Sequence, residues 1–117
     1  QVKRQKNSLG KLGENESILY LQELGFKILE KNFFHKYFEI DIIAEKNNII
    51  YFIEVKTRSS TVFGNGYDSI SNRKIEKIKK GAEYYIHTQS RDIEVQLWGI
   101  FITISGGIKR LEFIRII

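Results

Sequence analysis

The stretch FEIDIIAEKNNIIYFIEVK, residues 38–56, decides how the rest of the chain reads. Two apolar runs, Phe38–Glu45 and Ile49–Lys56, flank Asn47-Asn48. Asparagine tolerates positive φ better than most residues with a side chain, which suits a two-residue primed turn between antiparallel strands. In that register Lys46 faces Ile49, Asp41 stands opposite Glu54, and Glu39 stands opposite Lys56. Side chains two apart share a face, so all four charged groups project from one side. Like charges directly opposed across a strand pair repel. Two facing carboxylates in apolar strands therefore need a cause.

A divalent cation is one such cause. Mg²⁺ favours hard oxygen ligands and takes one or two carboxylates, leaving water and phosphate oxygens to complete its octahedron. Asp41 and Glu54 fit that need, with a backbone carbonyl near Val55 as a further donor. Lys56 would then face an attacking water or the negative charge developing on a phosphate. The competing reading is a solvated ion-pair patch of Glu39, Asp41, Glu54 and Lys56, since charged faces on strands are common.

Outward from the hairpin, Leu9–Leu24 predicts a helix that stops at Gly25. Its small and apolar face holds Gly10, Gly13, Ser17, Leu21 and Leu24, and Glu14 falls within that face. An inward-pointing acid is costly unless paired or bound to metal. Glu14 is thus either a further ligand reaching the hairpin from the helix, or a cap or partner of a buried base. Phe26–Phe34 predicts a strand and His35–Tyr37 a turn. Thr57–Ile70 reads as a polar loop whose Gly64-Asn65-Gly66 lacks the helix and Lys-Ser/Thr of a phosphate-binding motif. Ser71–Gln89 returns to helical spacing, with Ile75, Ile78, Ala82, Tyr85 and Ile86 along one side. Glu94–Ile104 and Ile108–Ile116 predict two more strands joined by Ser105-Gly106-Gly107. The order α-β-β-β-α-β-β describes an α/β layer structure with a mixed sheet.

The chain has 117 residues, which fits one domain over residues 9–117 behind a loose basic arm at residues 1–8. It contains neither Cys nor Pro, which excludes disulfides, thiolate metal sites and a cysteine nucleophile. That composition fits a reducing compartment, and a cytoplasmic protein is expected. No apolar run approaches the roughly 20 residues of a membrane helix, and no apolar segment follows the basic N-terminus. Lys and Arg number 19 against 14 Asp and Glu, a net charge of +5 that favours polyanionic partners, nucleic acid first. On the second helix Arg73, Lys77 and Lys80 cluster away from the apolar side, with Lys74 on the opposite flank. They form either a track for phosphates or an ordinary solvated face. Phe33, Phe34, Tyr37 and Phe38 could stack on bases, although core packing also accounts for them. His35 and His87 read as structural or exposed.

Glu39-Ile-Asp41 followed by Ile53-Glu54-Val-Lys56 resembles the PD-(D/E)XK nuclease signature, and the element order resembles its restriction-endonuclease-like core. More closely, the chain resembles the YraN-like family of endonuclease-like bacterial proteins. The matching stretches are Gly13-Glu14, Leu24-Gly25-Phe26, Glu39–Ala44, Phe52–Arg58, Phe63-Gly64 and Lys74. This resemblance implies a nuclease requiring Mg²⁺ or Mn²⁺, with Asp41 and Glu54 on the metal and Lys56 as the catalytic lysine. It makes Glu14 an added acidic site residue and Arg58 a phosphate contact; Glu39 is expected as an accessory acid, and Lys74, Arg73 and Lys77 as further nucleic-acid contacts. A layout shared with archaeal Holliday junction resolvases implies DNA ahead of RNA, with branched or distorted DNA as one substrate to consider. Many nucleases of this fold act as dimers, so a homodimer is a further expectation. A nucleic-acid-binding module with a weak or inactive site is the alternative. Two positions depart from the family pattern: Phe38 stands where relatives usually carry Gly, and Trp98 falls near where many carry an acid.

Overall fold

Asn47 and Asn48 adopt φ of +53° and +64°, so the turn is of the primed kind and sets the register of the hairpin it joins. In the computed structural model, which describes residues 8–36, 38–59, 70–90 and 92–117, β2 (Phe38–Lys46) and β3 (Ile49–Ser59) pair from Lys46↔Ile49 to Ile42↔Ile53. The rest of the sheet grows from this hairpin. β1 (Lys27–His35) pairs antiparallel with β2, β4 (Glu94–Ser105) runs parallel to β3, and β5 (Ile108–Arg115) returns antiparallel to β4. The protein is thus α/β, with a mixed five-stranded sheet in the order β1-β2-β3-β4-β5 and two helices.

The helices, α1 (Ser8–Glu23) and α2 (Asn72–His87), cover opposite faces. Alternation along β3 makes the division: Ile53 packs with Leu21 of α1, Ile42, Ala44, Ile100 and Ile102, whereas Phe52 packs with Ile78 of α2, Ile40, Ile43, Ile50 and Leu97. Ser71 caps α2, its hydroxyl accepting the Lys74 N–H at 3.2 Å. α1 ends as expected before Gly25, at φ +91°. There the Phe26 N–H reaches the Leu21 carbonyl and the Gly25 N–H the Gln22 carbonyl, the paired bonds of a Schellman motif.

The expected elements all form, with several corrections. β3 continues through Thr57–Ser59, which had read as loop, because its parallel ladder with β4 extends to Ser59↔Ile104. Leu24 and Ile86, read as apolar-face residues, are exposed, since each lies at or just past the end of its helix. The N-terminal arm at residues 1–7, Tyr37, Phe63 and the Gly64-Asn65-Gly66 loop lie outside the described residues. No described helix is long and apolar enough to cross a membrane.

Gly13 shows why α1 sits so near β3. A Cβ there would fall inside the Thr57 side chain, so only glycine permits this approach. Gly13→Ala is expected to cost about 1–3 kcal/mol through overpacking. Urea denaturation measures this, and an unchanged midpoint would mean the helix is not pressed against Thr57.

Candidate active site

Asp41 lies where the regular sheet gives way. Ile43 and Ile40 both pack on the α2 side while Ile42 packs on the α1 side, so strict alternation slips between Ile40 and Ile42. The residue across on β1 is Asn32, between the pairs Lys31↔Ile42 and Phe33↔Ile40, and it takes φ +51°. Asparagine enters this left-handed region more readily than other side-chain-bearing residues except Asp and His, yet it remains uncommon within a strand. On the other side, the β2–β3 ladder ends at Ile42↔Ile53. The Val55 N–H, which a continued ladder would direct to the β2 backbone, donates instead to Asp41 Oδ2 at 2.8 Å.

This corrects the expected register in one respect. Asp41 and Glu54, and likewise Glu39 and Lys56, are not ladder partners, and the rule that residues two apart share a face fails at Asp41. Asp41 and Glu54 still come together, because the kink turns the Asp41 carboxylate onto the Val55 amide, next to Glu54. Both acids are buried, Asp41 at 6% exposure and Glu54 at 1%.

Glu54 occupies the central strand, between β2 and β4, on the face covered by α2. Lys74 of α2 reaches it, with Nζ 2.8 Å from Oε2. The other oxygen, Oε1, is buried with no hydrogen-bond partner. Burial first, and the Asp41 charge second, push the Glu54 carboxyl up to about 7, against the opposing pull of Lys74 and Lys56. Lys56 is half-buried and follows Glu54 on the same face of β3, with exposed Arg58 two residues further on.

Glu14 is buried at 6% exposure, as its place on the helix face implied, but its setting differs from a ligand set. It approaches from the α1 side, where Oε1 accepts from Asn32 Nδ2 at 2.8 Å. Among the described residues no three Asp, Glu, His or Cys side chains are grouped so as to hold a metal. The structure assembles two carboxylates, Asp41 and Glu54, and ties the third to the kink in β1. Glu39 instead lines a groove of about 490 Å³ with Phe38, Ser71, Arg73, Lys74, Lys77 and Ile78. Lys74 therefore lies on the same side as Arg73 and Lys77, not on the opposite flank.

Asn32 is the site-shaping residue that the sequence pattern missed. It sits in an ordinary-looking strand, and only the pairing of two distorted positions singles it out. Trp98 packs with Tyr51 and Phe113 on the α1-side cluster and donates its indole N–H to Gln96 Oε1 at 2.9 Å. Its position thus belongs to the core on the face away from Glu54. His35 stacks on Tyr84, and Phe33 and Phe38 pack in the α2-side cluster.

Comparison with known proteins places this chain in a family: it belongs to UPF0102, described as an uncharacterised protein family, whose model matches residues 13–115. A UPF0102 protein of Flavobacterium psychrophilum is 42% identical over 107 residues, covering 92% of this chain and 87% of its own. One from Syntrophomonas wolfei is 38% identical over 107 residues, covering 91% and 93%. Another, from a Sulfurihydrogenibium species, is 48% identical over 81 residues, covering 69% and 70%. The YraN-like resemblance is thereby borne out at the level of this family.

The elevated Glu54 carboxyl has a signed consequence. Its folded value of about 7 exceeds the ordinary 4.5, so the native state holds a proton that the unfolded chain releases. Metal-free protein is expected to lose roughly 3 kcal/mol through this group as pH rises from about 4.5 to 7. Glu54→Gln should flatten that part of the pH profile in chemical denaturation, and an equally steep profile in the variant would rule Glu54 out as its source.

Proposed function

We propose that this protein is a PD-(D/E)XK-type nuclease domain that hydrolyses nucleic-acid phosphodiester bonds with Mg²⁺ or Mn²⁺, DNA ahead of RNA, in the cytoplasm. One observation carries the reading: Glu54 is almost fully buried beside Asp41, and its Oε1 has no hydrogen-bond partner. A buried anion ordinarily finds a partner for every lone-pair direction that water once filled. Lys74 serves Oε2 only. A second cation at Oε1, shared with Asp41, would complete the balance. The α-β-β-β-α-β-β order and the mixed sheet are consistent with the core of that nuclease class.

The donor set fits a hard divalent ion, because both groups are carboxylates and such ions take one or two of them. When bound, the metal would supply Lewis-acid polarisation of the phosphate and activation of water. The remaining work falls to side chains. The Val55 N–H fixes Asp41 Oδ2 and so sets the carboxylate's orientation. Lys56, whose charge already acts on Glu54, places an ammonium where negative charge develops on the phosphate. Arg73, Lys74 and Lys77 line the adjacent groove and, with Arg58, offer contacts to flanking phosphates. Glu14 acts through Asn32, holding the kink that presents Asp41, and is a positioning residue in this scheme.

The Lys74–Glu54 ion pair favours one alternative. If Lys74 keeps Glu54 when nucleic acid arrives, the protein is a nucleic-acid-binding module with a silent site. Calorimetric titration of Mg²⁺ and Mn²⁺, with branched-DNA cleavage assayed in the same samples, separates the two. The nuclease reading expects metal binding and cleavage in the wild type and neither in Asp41→Ala. It expects Lys56→Ala to retain the metal while losing roughly 10²–10³-fold in rate. A wild type that takes up no metal even with DNA present would leave only the binding module.

A further inference from the structure

We propose that a cleft between the end of β1 and the outer stripe of α2 binds single-stranded nucleic acid, seating an unpaired base against Tyr84 and His35 and its phosphates on Lys77 and Lys80. This rests on the nucleic-acid reading above and specifies the form of strand the site receives.

The cleft encloses about 310 Å³ and is lined by His35, Lys36, Phe38, Lys77, Lys80 and Tyr84. That volume lies at the lower end of small-ligand sites, roughly 300–1,000 Å³, and suits one nucleoside rather than a duplex groove. Among the described residues its lining contains cations and rings and no carboxylate. Arg73, Lys77, Lys80 and Tyr84 recur at steps of four, three and four residues, so they form one stripe along α2. The helix acids fall elsewhere: Glu76 pairs with Lys79, and Glu83 borders a separate cleft with that lysine.

The aromatic part has the geometry of a platform. The Tyr84 ring stacks on the His35 imidazole with centroids 3.9 Å apart and planes 16° from parallel, yet Tyr84 remains 41% exposed. A large ring already held flat and still open to solvent can accept a base with little loss of rotamer freedom. Stacking of this kind tolerates any base, because every base has a π face. Phe38 lines both this cleft and the groove that holds Lys74 and Glu39, so the two are contiguous along α2. The Phe38 ring fits there because Gly81 has no side chain; a Cβ at Gly81 would lie 2.5 Å from the ring. A strand seated on Tyr84 would therefore pass Phe38 on its way to Lys74 and Glu54. A duplex keeps its bases stacked inside and would meet only the lysines.

Fluorescence anisotropy in EDTA, with labelled oligo(dT) and a DNA hairpin duplex of equal length, tests this without cleavage. Tyr84→Ala is expected to weaken oligo(dT) binding about tenfold and duplex binding less than about twofold. Tyr84→Phe should bind oligo(dT) like the wild type, which a merely destabilised helix would not explain. Lys77→Glu with Lys80→Glu should weaken both probes and flatten the salt dependence. A wild type that does not bind oligo(dT), or a Tyr84→Ala that weakens both probes alike or neither, overturns the proposal. Binding that depends on Tyr84 in a protein that never cleaves would thus remove the nuclease reading and leave the cleft, whereas cleavage indifferent to Tyr84 would do the reverse.

Discussion

A carboxylate buried in the central strand of a five-stranded sheet governs the arrangement around it. Glu54 cannot be turned to solvent, because β3 lies between β2 and β4 and its face is covered by α2. An unpaired anion in that place would shift its protonation or unfold its surroundings. The fold meets the demand in part, through Lys74 from above and a raised proton affinity, and leaves one oxygen unserved. Natural cores that were selected only for stability would more economically carry an apolar residue here. On the proposed reading, the unserved oxygen is where a divalent ion would bind.

Its neighbour Asp41 shows how the backbone makes room. A side-chain carboxylate takes over a backbone amide of β3, so the β2–β3 ladder stops without leaving the Val55 N–H unpaired. The kink that allows this is shared between two strands, with Asn32 in a left-handed conformation across from Asp41. Glu14 then fastens Asn32 from α1. One helix thus shapes the site by supporting its frame and the other by neutralising its charge. The UPF0102 match covers all five strands, α2 and the part of α1 from Gly13 onward, and so includes every one of these residues.

Much of this was legible in residues 38–56. The Asn47-Asn48 turn fixed the register from Lys46 to Ile42, and that register placed Asp41 and Glu54 at the same level of the hairpin. What it could not convey was the slip at Asp41, because alternation rules assume an unbroken ladder and carry no information on where one ends. Glu14 was recognisable as an inward-facing acid from helical spacing, yet its partner Asn32 was not, since a strand pattern gives asparagine no special meaning. Lys74 was singled out by resemblance and by its place beside the apolar stripe of α2. At 100° per residue it falls between Lys77 and Ile78, so helical spacing already sets it between the cationic stripe and the apolar side, and its assignment to the opposite flank misjudged that angle. The extension of β3 to Ser59 depended on β4, whose partner residues lie 45 positions further along the chain, as in Ser59↔Ile104.

That distant partner has a consequence for how the protein comes into being. β2 and β3 are joined by a two-residue turn and can associate early, bringing Asp41 and Glu54 together with only Lys56 of the same hairpin to offset their charge. Lys74 arrives only when the chain has crossed over through α2 to lay β4 beside β3, a pairing that requires closure of a long loop. A nascent chain that ends before α2 therefore holds the two acids without the Lys74 ion pair. A divalent ion captured by the finished domain would bind the native state in preference to such partly formed chains and so draw the population toward it. Recognition of the ligand and completion of the fold would then be one thermodynamic event.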